Sequence, residues 1–410
     1  MMKLFPFAFG LMVILAAPLC AQKLLPERLL LTTGQYVGSG SRALGLGGTY
    51  TGIADDYSAV WWNPAGLAQV KRIEIQGSLA RAGYGNKTDY YGRAGDGTTS
   101  ALRLNNVGVV FPVPVYQGAL SFAFGYTQVQ AFDRRTQVVS PAAGTSRWDD
   151  FDELESGRLG LWTAAAAMDV SPNLALGLGL NYWTGLDDYT LTGHYTESNV
   201  SHYTENSIST NLSAWGANFG GLFRLGRFGR LGAMFQTPVS MSMEEDWQDG
   251  EYNGYFNYRM IYPAVFRVGG SVCPGRWLLA ADVEYRDWTS MKYTQPKDST
   301  QFEGISRVSA NQQIKRDYQS TTRFSFGGEY LFPAYGLRAR AGYGFEPSNY
   351  KLSGGQDDRH IFSFGLGVLV DRSVMLDAAF RTTAYTEKTT AGLKEDISNS
   401  TALVTLSYRM

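Results

Sequence analysis

The stretch Leu174-Ala175-Leu176-Gly177-Leu178-Gly179-Leu180-Asn181-Tyr182 decides the fold. Leu174, Leu176, Leu178, Leu180 and Tyr182 fall on one face, and Ala175, Gly177, Gly179 and Asn181 on the other. A period of two is a strand with unlike faces. The same alternation recurs at Trp277 to Arg286, Phe362 to Val370 and Val374 to Arg381, and no segment sustains a helical period. Fourteen strands are predicted near 72–82, 105–113, 117–132, 157–170, 174–187, 210–225, 230–245, 254–272, 276–293, 316–332, 336–346, 359–370, 373–387 and 397–409. Most reach the ~9–11 residues that a tilted strand needs to cross a bilayer. Tight turns such as Ser171-Pro172-Asn173 and Cys273-Pro274-Gly275 alternate with polar segments at 83–104, 133–156, 188–209, 246–253, 294–315, 347–358 and 388–396. Short turns at one end and long loops at the other describe an all-β, antiparallel transmembrane β-barrel, with both termini at the short-turn end. A soluble sandwich would mix loop lengths at both ends.

Composition agrees. The 410 residues carry a net charge of −1, 47 Gly, 14% aromatics and 18% charged residues. So many aromatics exclude disorder. No basic face is segregated for nucleic acid. Two cysteines exclude a disulfide scaffold. Residues 1–21 read as a cleaved signal peptide, with Lys3, an apolar Leu4 to Ala17, and Ala21 at the cut. A lipoprotein signal would need a small residue before Cys20, and Leu19 is not one. The remaining Cys273 is expected to be inert and buried. Beyond the leader, the best apolar run, Leu159 to Met168, is about half the ~20 residues of a spanning helix. Only a closed barrel then satisfies every backbone group in lipid.

Residues 22–71 do not alternate and are too long for a tail, so they are read as a hatch with short helices inside the barrel, 72–410. Asn63 before Pro64 is N-cap chemistry with Pro at the first helical position. Asn63, Pro64, Ala65 and Gly66, with Asp55 and Asp56, are the candidate gate. Ala175, Gly177 and Gly179 leave room on the inner face for hatch backbone or ligand. Charge in mid-bilayer costs up to ~2–4 kcal/mol for a basic residue, so the charged faces must point inward. That places Arg267, Asp282, Glu284, Arg286, Arg323, Glu329, Arg338, Arg340, Asp377 and Arg381 in one luminal patch. Ion pairs holding the plug are the simpler role. Arg338 and Arg340 are the first candidates to receive a ligand carboxylate. Tyr84, Tyr90, Tyr91 and Phe151 are read either as a capture groove or as the aromatic girdle.

Enzyme signatures are missing. His194, His202 and His360 are scattered, and neither Gly-x-Ser-x-Gly nor His-Glu-x-x-His occurs. The acidic run Asp149, Asp150, Asp152, Glu153 and Glu155 around Phe151 and Leu154 fits a short amphipathic helix in an outer loop better than a cation site. No cofactor and no metal are expected.

Several segments together resemble the FadL/TodX family of outer-membrane transporters for hydrophobic compounds. They are Gly40-Ser41-Arg42-Ala43, Gly47-Gly48, Ala54-Asp55-Asp56 and Asn63-Pro64-Ala65-Gly66-Leu67 at the N-terminus. Leu159-Gly160 with Ser171-Pro172-Asn173-Leu174, Asp282-Val283-Glu284-Tyr285 and Arg340-Ala341-Gly342-Tyr343 continue the match along the barrel. The resemblance implies an outer-membrane, monomeric barrel that takes up long-chain fatty acids or similar molecules without an energy source. It implies loop capture, luminal binding, hatch movement and lateral release into the membrane lipids. The terminal Tyr408-Arg409-Met410 departs from the usual final aromatic. The signature is also shared by PorV-type secretion shuttles, which are the alternative; a barrel enzyme is a more distant one.

Overall fold

In the computed structural model, residues 30–139, 150–197, 200–295, 306–353, 355–388 and 392–410 are described. The expected leader lies outside them. The alternating segments form one antiparallel sheet closed into a barrel. Its strands are β1 (Glu74–Tyr90), β2 (Arg93–Val113), β3 (Leu120–Ala131 and Arg134–Val139), β4 (Asp150–Ser171) and β5 (Leu174–Glu197). They continue as β6 (Val200–Leu225), β7 (Gly229–Gln236 and Val239–Asp249), β8 (Tyr252–Tyr262 and Val265–Val272) and β9 (Trp277–Asp287 and Lys292–Gln295). The last are β10 (Ser320–Phe332), β11 (Leu337–Glu346), β12 (Arg359–Leu369), β13 (Val374–Lys388) and β14 (Leu393–Arg409). Pairing of β14 with β1 from Arg409↔Glu74 to Leu393↔Tyr90 closes the ring. Outward residues such as Phe362, Phe364 and Leu366 are exposed, whereas Ser363 is fully buried, so the apolar face is the outer one.

The long-loop end differs from the sequence expectation. Most of 83–104, 188–209 and 388–396 is not loop but continued strand. Beyond the lipid the outer face need not be apolar, so polar rungs such as Lys87↔Asp96 extend the ladder and hydropathy no longer marks it. Tyr91 and Gly92, both at positive φ, close β1 to β2 in a two-residue turn whose backbone twist suits a hairpin. The acidic residues Asp150, Asp152, Glu153 and Glu155 lie on β4, not on a helix. Asp149 lies outside the described residues, and Asp152 pairs with Arg135 at 2.6 Å. Cys273 is exposed at a short turn rather than buried.

Three expected continuous strands are broken, β7 at Thr237-Pro238, β8 at Pro263-Ala264 and β9 at Trp288–Met291, and β3 resumes after Phe132-Asp133, where a loop was expected. Proline brings no N–H to a ladder, which accounts for two of these. Between β9 and β10 a helix, α4 (Arg307–Asp317), buries Ala310 and Ile314. Its Asn311 side chain bonds both Tyr293 N (2.7 Å) and Tyr293 O (3.1 Å), standing in for the missing neighbour of an edge strand.

Residues 30–71 fill the lumen as α1 (Leu30–Thr33), the strand Gln35–Tyr36 paired to β3, α2 (Ser41–Gly45), α3 (Ala59–Trp62) and a 3-10 turn at Pro64–Gln69. Helices this short have no stability of their own. Packing holds them, with Leu46, Tyr50, Ile53, Tyr57 and Leu67 fully buried. Glycines on the wall admit the backbone. A Cβ at Gly177 would fall on Pro64 and Ala65, one at Gly342 on Leu46 and Gly47, and one at Gly232 on Thr51. Gly179 instead makes room for the Asn218 side chain.

Candidate functional site

The luminal segment is bolted at its turn. Asn63 is extended and caps Pro64–Gln69 by accepting from Ala65 N at 3.1 Å. Its amide donates to Thr51 O at 2.9 Å and, across to the wall, to Gly221 O at 3.1 Å. Gly66 is required, because a Cβ there would enter the Ala54 backbone. Beside the turn, Asp56 accepts from Ser58 N (2.9 Å) and Tyr50 Oη (2.9 Å). Asp55 pairs with Arg42 at 2.6 Å. Burial pushes both carboxyls up. For Asp55 the guanidinium groups of Arg42, Arg230 and Arg409 outweigh it and hold the acid below its usual value of 3.8. Asp56, with Asp55 beside it, stays raised.

The ten charged wall residues all point inward, but nine of them form two groups rather than one patch. Toward the short-turn end, Glu329 accepts from Arg42 (2.9 Å) and Arg340 (2.6 Å), and Arg340 also pairs with Asp377 at 2.5 Å. Arg340 thereby has two carboxylate partners, although its buried Nη2 has none. Arg338 is half-buried near Arg42 and Arg340. Asp282 joins neither group. It accepts from Tyr50 N (2.9 Å) and Thr51 N (2.8 Å), so it anchors luminal backbone.

The second group lies higher. Glu284 binds Arg267 (2.5 Å) and Arg286 (3.1 Å). Glu346 is shared at longer range by Arg323 (3.8 Å) and Arg359 (3.5 Å). Arg381 is buried with no ion pair among the described residues. Its guanidinium and that of Arg323 lie 5.6 and 5.3 Å from the Tyr36 ring centroid. The buried Nε atoms of Arg286 and Arg323 lack partners. These arginines border a cavity of about 90 Å³ lined by Tyr36, Trp61, Trp183, Tyr262 and Trp288 as well as Arg286, Arg323 and Arg359. Trp183 Nε1 is also buried without an acceptor. Beyond Tyr262 and Trp288 along β7–β9 the interior turns apolar, with Met241, Met243, Met260 and Met291 almost fully buried.

Sequence reasoning missed this aromatic pocket, because Tyr36 and Trp61 come from the non-alternating segment and Trp183, Tyr262 and Trp288 from β5, β8 and the break in β9. The inward phase of Trp183, one residue past Tyr182, was the available signal. The four loop aromatics also sort themselves. Tyr84, Tyr90 and Phe151 are buried and face the interior, which removes them from a girdle; Tyr91 sits exposed at a hairpin tip. His194 meets Asp150 at the exposed outer end, and no group of metal-ligating side chains forms among the described residues.

Residues 31–409 match the model of the family described as outer membrane protein transport protein (OMPP1/FadL/TodX). No curated protein matches the chain. Among solved structures, a Pseudomonas aeruginosa FadL homologue superposes with a TM-score of 0.64 at 14% identity, covering 92% of this chain and 99% of that one. The P. putida toluene transporter TodX gives 0.62 at 15% identity, with 92% and 99% covered. The Ralstonia pickettii toluene transporter TbuX gives 0.60 at 15%, with 91% and 98% covered. At these identities the likeness shows the fold, and the family match carries the assignment: the chain belongs to the OMPP1/FadL/TodX family of outer-membrane transporters of hydrophobic compounds.

Proposed function

We propose that this barrel takes up amphipathic hydrophobic acids, such as long-chain fatty acids, by passive passage through the lumen. The observation that carries the reading is the under-neutralised arginine group, Arg286, Arg323 and Arg381, beside an aromatic pocket that continues into methionines. Burying guanidinium groups without full compensation is costly unless an anion arrives. A carboxylate would take the free Nε donors, and its chain would lie on the apolar side. The cavity of about 90 Å³ is smaller than the ~150 Å³ cavity that admits benzene in an engineered protein. Entry must therefore displace Tyr36 or Trp61, which belong to the luminal plug, and binding is coupled to hatch movement. Release then follows laterally into the bilayer.

The test compares a fatty acid with its methyl ester in the parent and in Arg286→Gln/Arg323→Gln. Hydrogen bonds to charged groups are worth about 1.5–3 kcal/mol, so the double variant should bind the acid at least ~10-fold more weakly and the ester unchanged. Preference of the parent for neutral aromatic hydrocarbon over the acid would overturn the reading.

A further inference from the structure

The outer ends of β9 and β10 carry a charged groove above a lipid-facing row. On β9 the outward residues Trp277, Leu279, Val283 and Tyr285 are exposed, as are Phe324, Phe326 and Phe332 on β10. The row ends at the rung Tyr285↔Thr322, and the next outward rung is the polar pair Asp287↔Ser320. Above it, α4 clasps the end of β9 through Asn311 and leaves a groove of about 430 Å³. Lys292, Thr294, Arg307, Val308, Asn311 and Lys315 line this groove. Arg307 donates to Thr294 O at 3.0 Å, which holds its guanidinium at the wall. Lys351 donates to Lys315 O at 3.1 Å and brings a fourth cation beside the other three.

Among the described residues from 285 to 318, both carboxylates are engaged. Asp287 accepts from Thr289 N and Oγ1 at 3.0 and 2.7 Å, and Asp317 from Arg316 at 2.7 Å. Lys292, Arg307, Lys315 and Lys351 have no ion pair among the described residues. Cations elsewhere at the outer end are matched. Lys394 pairs with Asp396 and Arg135 with Asp152, each at 2.6 Å, and Lys87 stands between Asp96 and Asp396 in its ladder. Like charges gathered around one groove repel, so the arrangement favours a polyanion. A phosphate monoester carries about −1.5 to −2 and three acceptor oxygens, more than a carboxylate supplies. The apolar row selects the source of the phosphate. Acyl chains laid on Val283, Tyr285 and Phe324 bring a headgroup to the height of the groove, and lysine stems rest on the same surface with their ammonium groups raised. A soluble anion or an acidic peptide gains nothing from that row.

We propose that the groove between α4 and β9 docks the phosphorylated headgroup of an outer-leaflet glycolipid. Each cation at an anionic lipid surface contributes roughly a factor of five in binding. The test measures binding of lipid A and of chemically dephosphorylated lipid A to the delipidated barrel by native mass spectrometry, with inorganic pyrophosphate as a competitor. Lys292→Gln/Lys315→Gln is compared with Lys87→Gln/Lys394→Gln, and Arg307→Gln is a second, independent variant at the groove. Heat-modified gel mobility confirms that each barrel is folded. The parent should bind lipid A at least 10-fold more tightly than its dephosphorylated form. The double variant at α4 should weaken lipid A binding at least 10-fold and Arg307→Gln about 5-fold, while Lys87→Gln/Lys394→Gln stays within 2-fold of the parent. Equal binding of the two lipids, or equal binding of lipid A by the parent and the α4 variants, overturns the site. Displacement of lipid A by an equal concentration of pyrophosphate would make it a site for a soluble anion and overturns the lipid assignment.

Discussion

Replacing Asn63 by Ala should undock the plug without opening the barrel. Asn63 is fully buried and makes three hydrogen bonds: one caps its own turn, one crosses the plug to Thr51 and one reaches the wall at Gly221. A lost N-cap costs about 1 kcal/mol. Leaving the Thr51 and Gly221 carbonyls unsatisfied adds about 1–3 kcal/mol in total once relaxation is allowed for. A docking loss of about 2–4 kcal/mol corresponds to a roughly 30- to 700-fold larger population of the undocked state. The assay is amide hydrogen exchange. Protection of Ala65 and Gly66 should fall by that factor, while the ladders of β1–β14, which Asn63 does not join, keep theirs. Unchanged protection at Ala65 and Gly66 would refute the assignment of Asn63 as the bolt, and collapse of barrel protection would refute the separation of plug from wall.

Three further outcomes are expected. Gly177→Val should push the Pro64–Ala65 backbone off β5, raising exchange at Ala65 and the leak of small solutes through reconstituted barrels, at a cost of about 1–3 kcal/mol. Arg340→Gln leaves Glu329 with Arg42 alone and Asp377 without its partner; breaking a buried pair costs about 3–5 kcal/mol, so the thermal midpoint should fall well below that of Arg338→Gln, measured by heat-modified gel mobility. The two hatch acids act in opposite senses with pH. Stability from Asp55 is present above 3.8 and lost as pH falls through its lowered folded value, while that from Asp56 is complete below 3.8 and lost as pH rises through its raised one. Asp56→Asn should therefore increase plug protection at pH 7 relative to the parent and not below pH 3.8, as read by hydrogen exchange across the pH series.

The barrel was legible because a lipid-facing strand must alternate. The physical demand for an apolar outer face and a small or polar inner one is written directly into Leu174 to Tyr182. Where that demand ends, so does the signal: Lys87 and Asp96 form a rung that hydropathy cannot mark. The breaks were partly readable. Pro238 and Pro263 both lie inside expected strands, but that they face each other depends on a register set by the flanking rungs.

The candidate site shows the same division. Inward charge followed from the cost of the alternative, so all ten residues could be placed in the lumen. Which arginine stays free could not, because that depends on carboxylates brought from elsewhere. Arg340 finds Glu329 on the adjoining strand β10 and Asp377 across β12 on β13. Arg381, on the same strand as Asp377 but four residues on, points past its own carboxylate to Tyr36 of the plug. A four-residue step along one strand thus separates a carboxylate that Arg340 uses from a guanidinium that meets a ring. That ring is in place only when the plug is seated, so on the proposed reading filling the pocket displaces Tyr36 or Trp61.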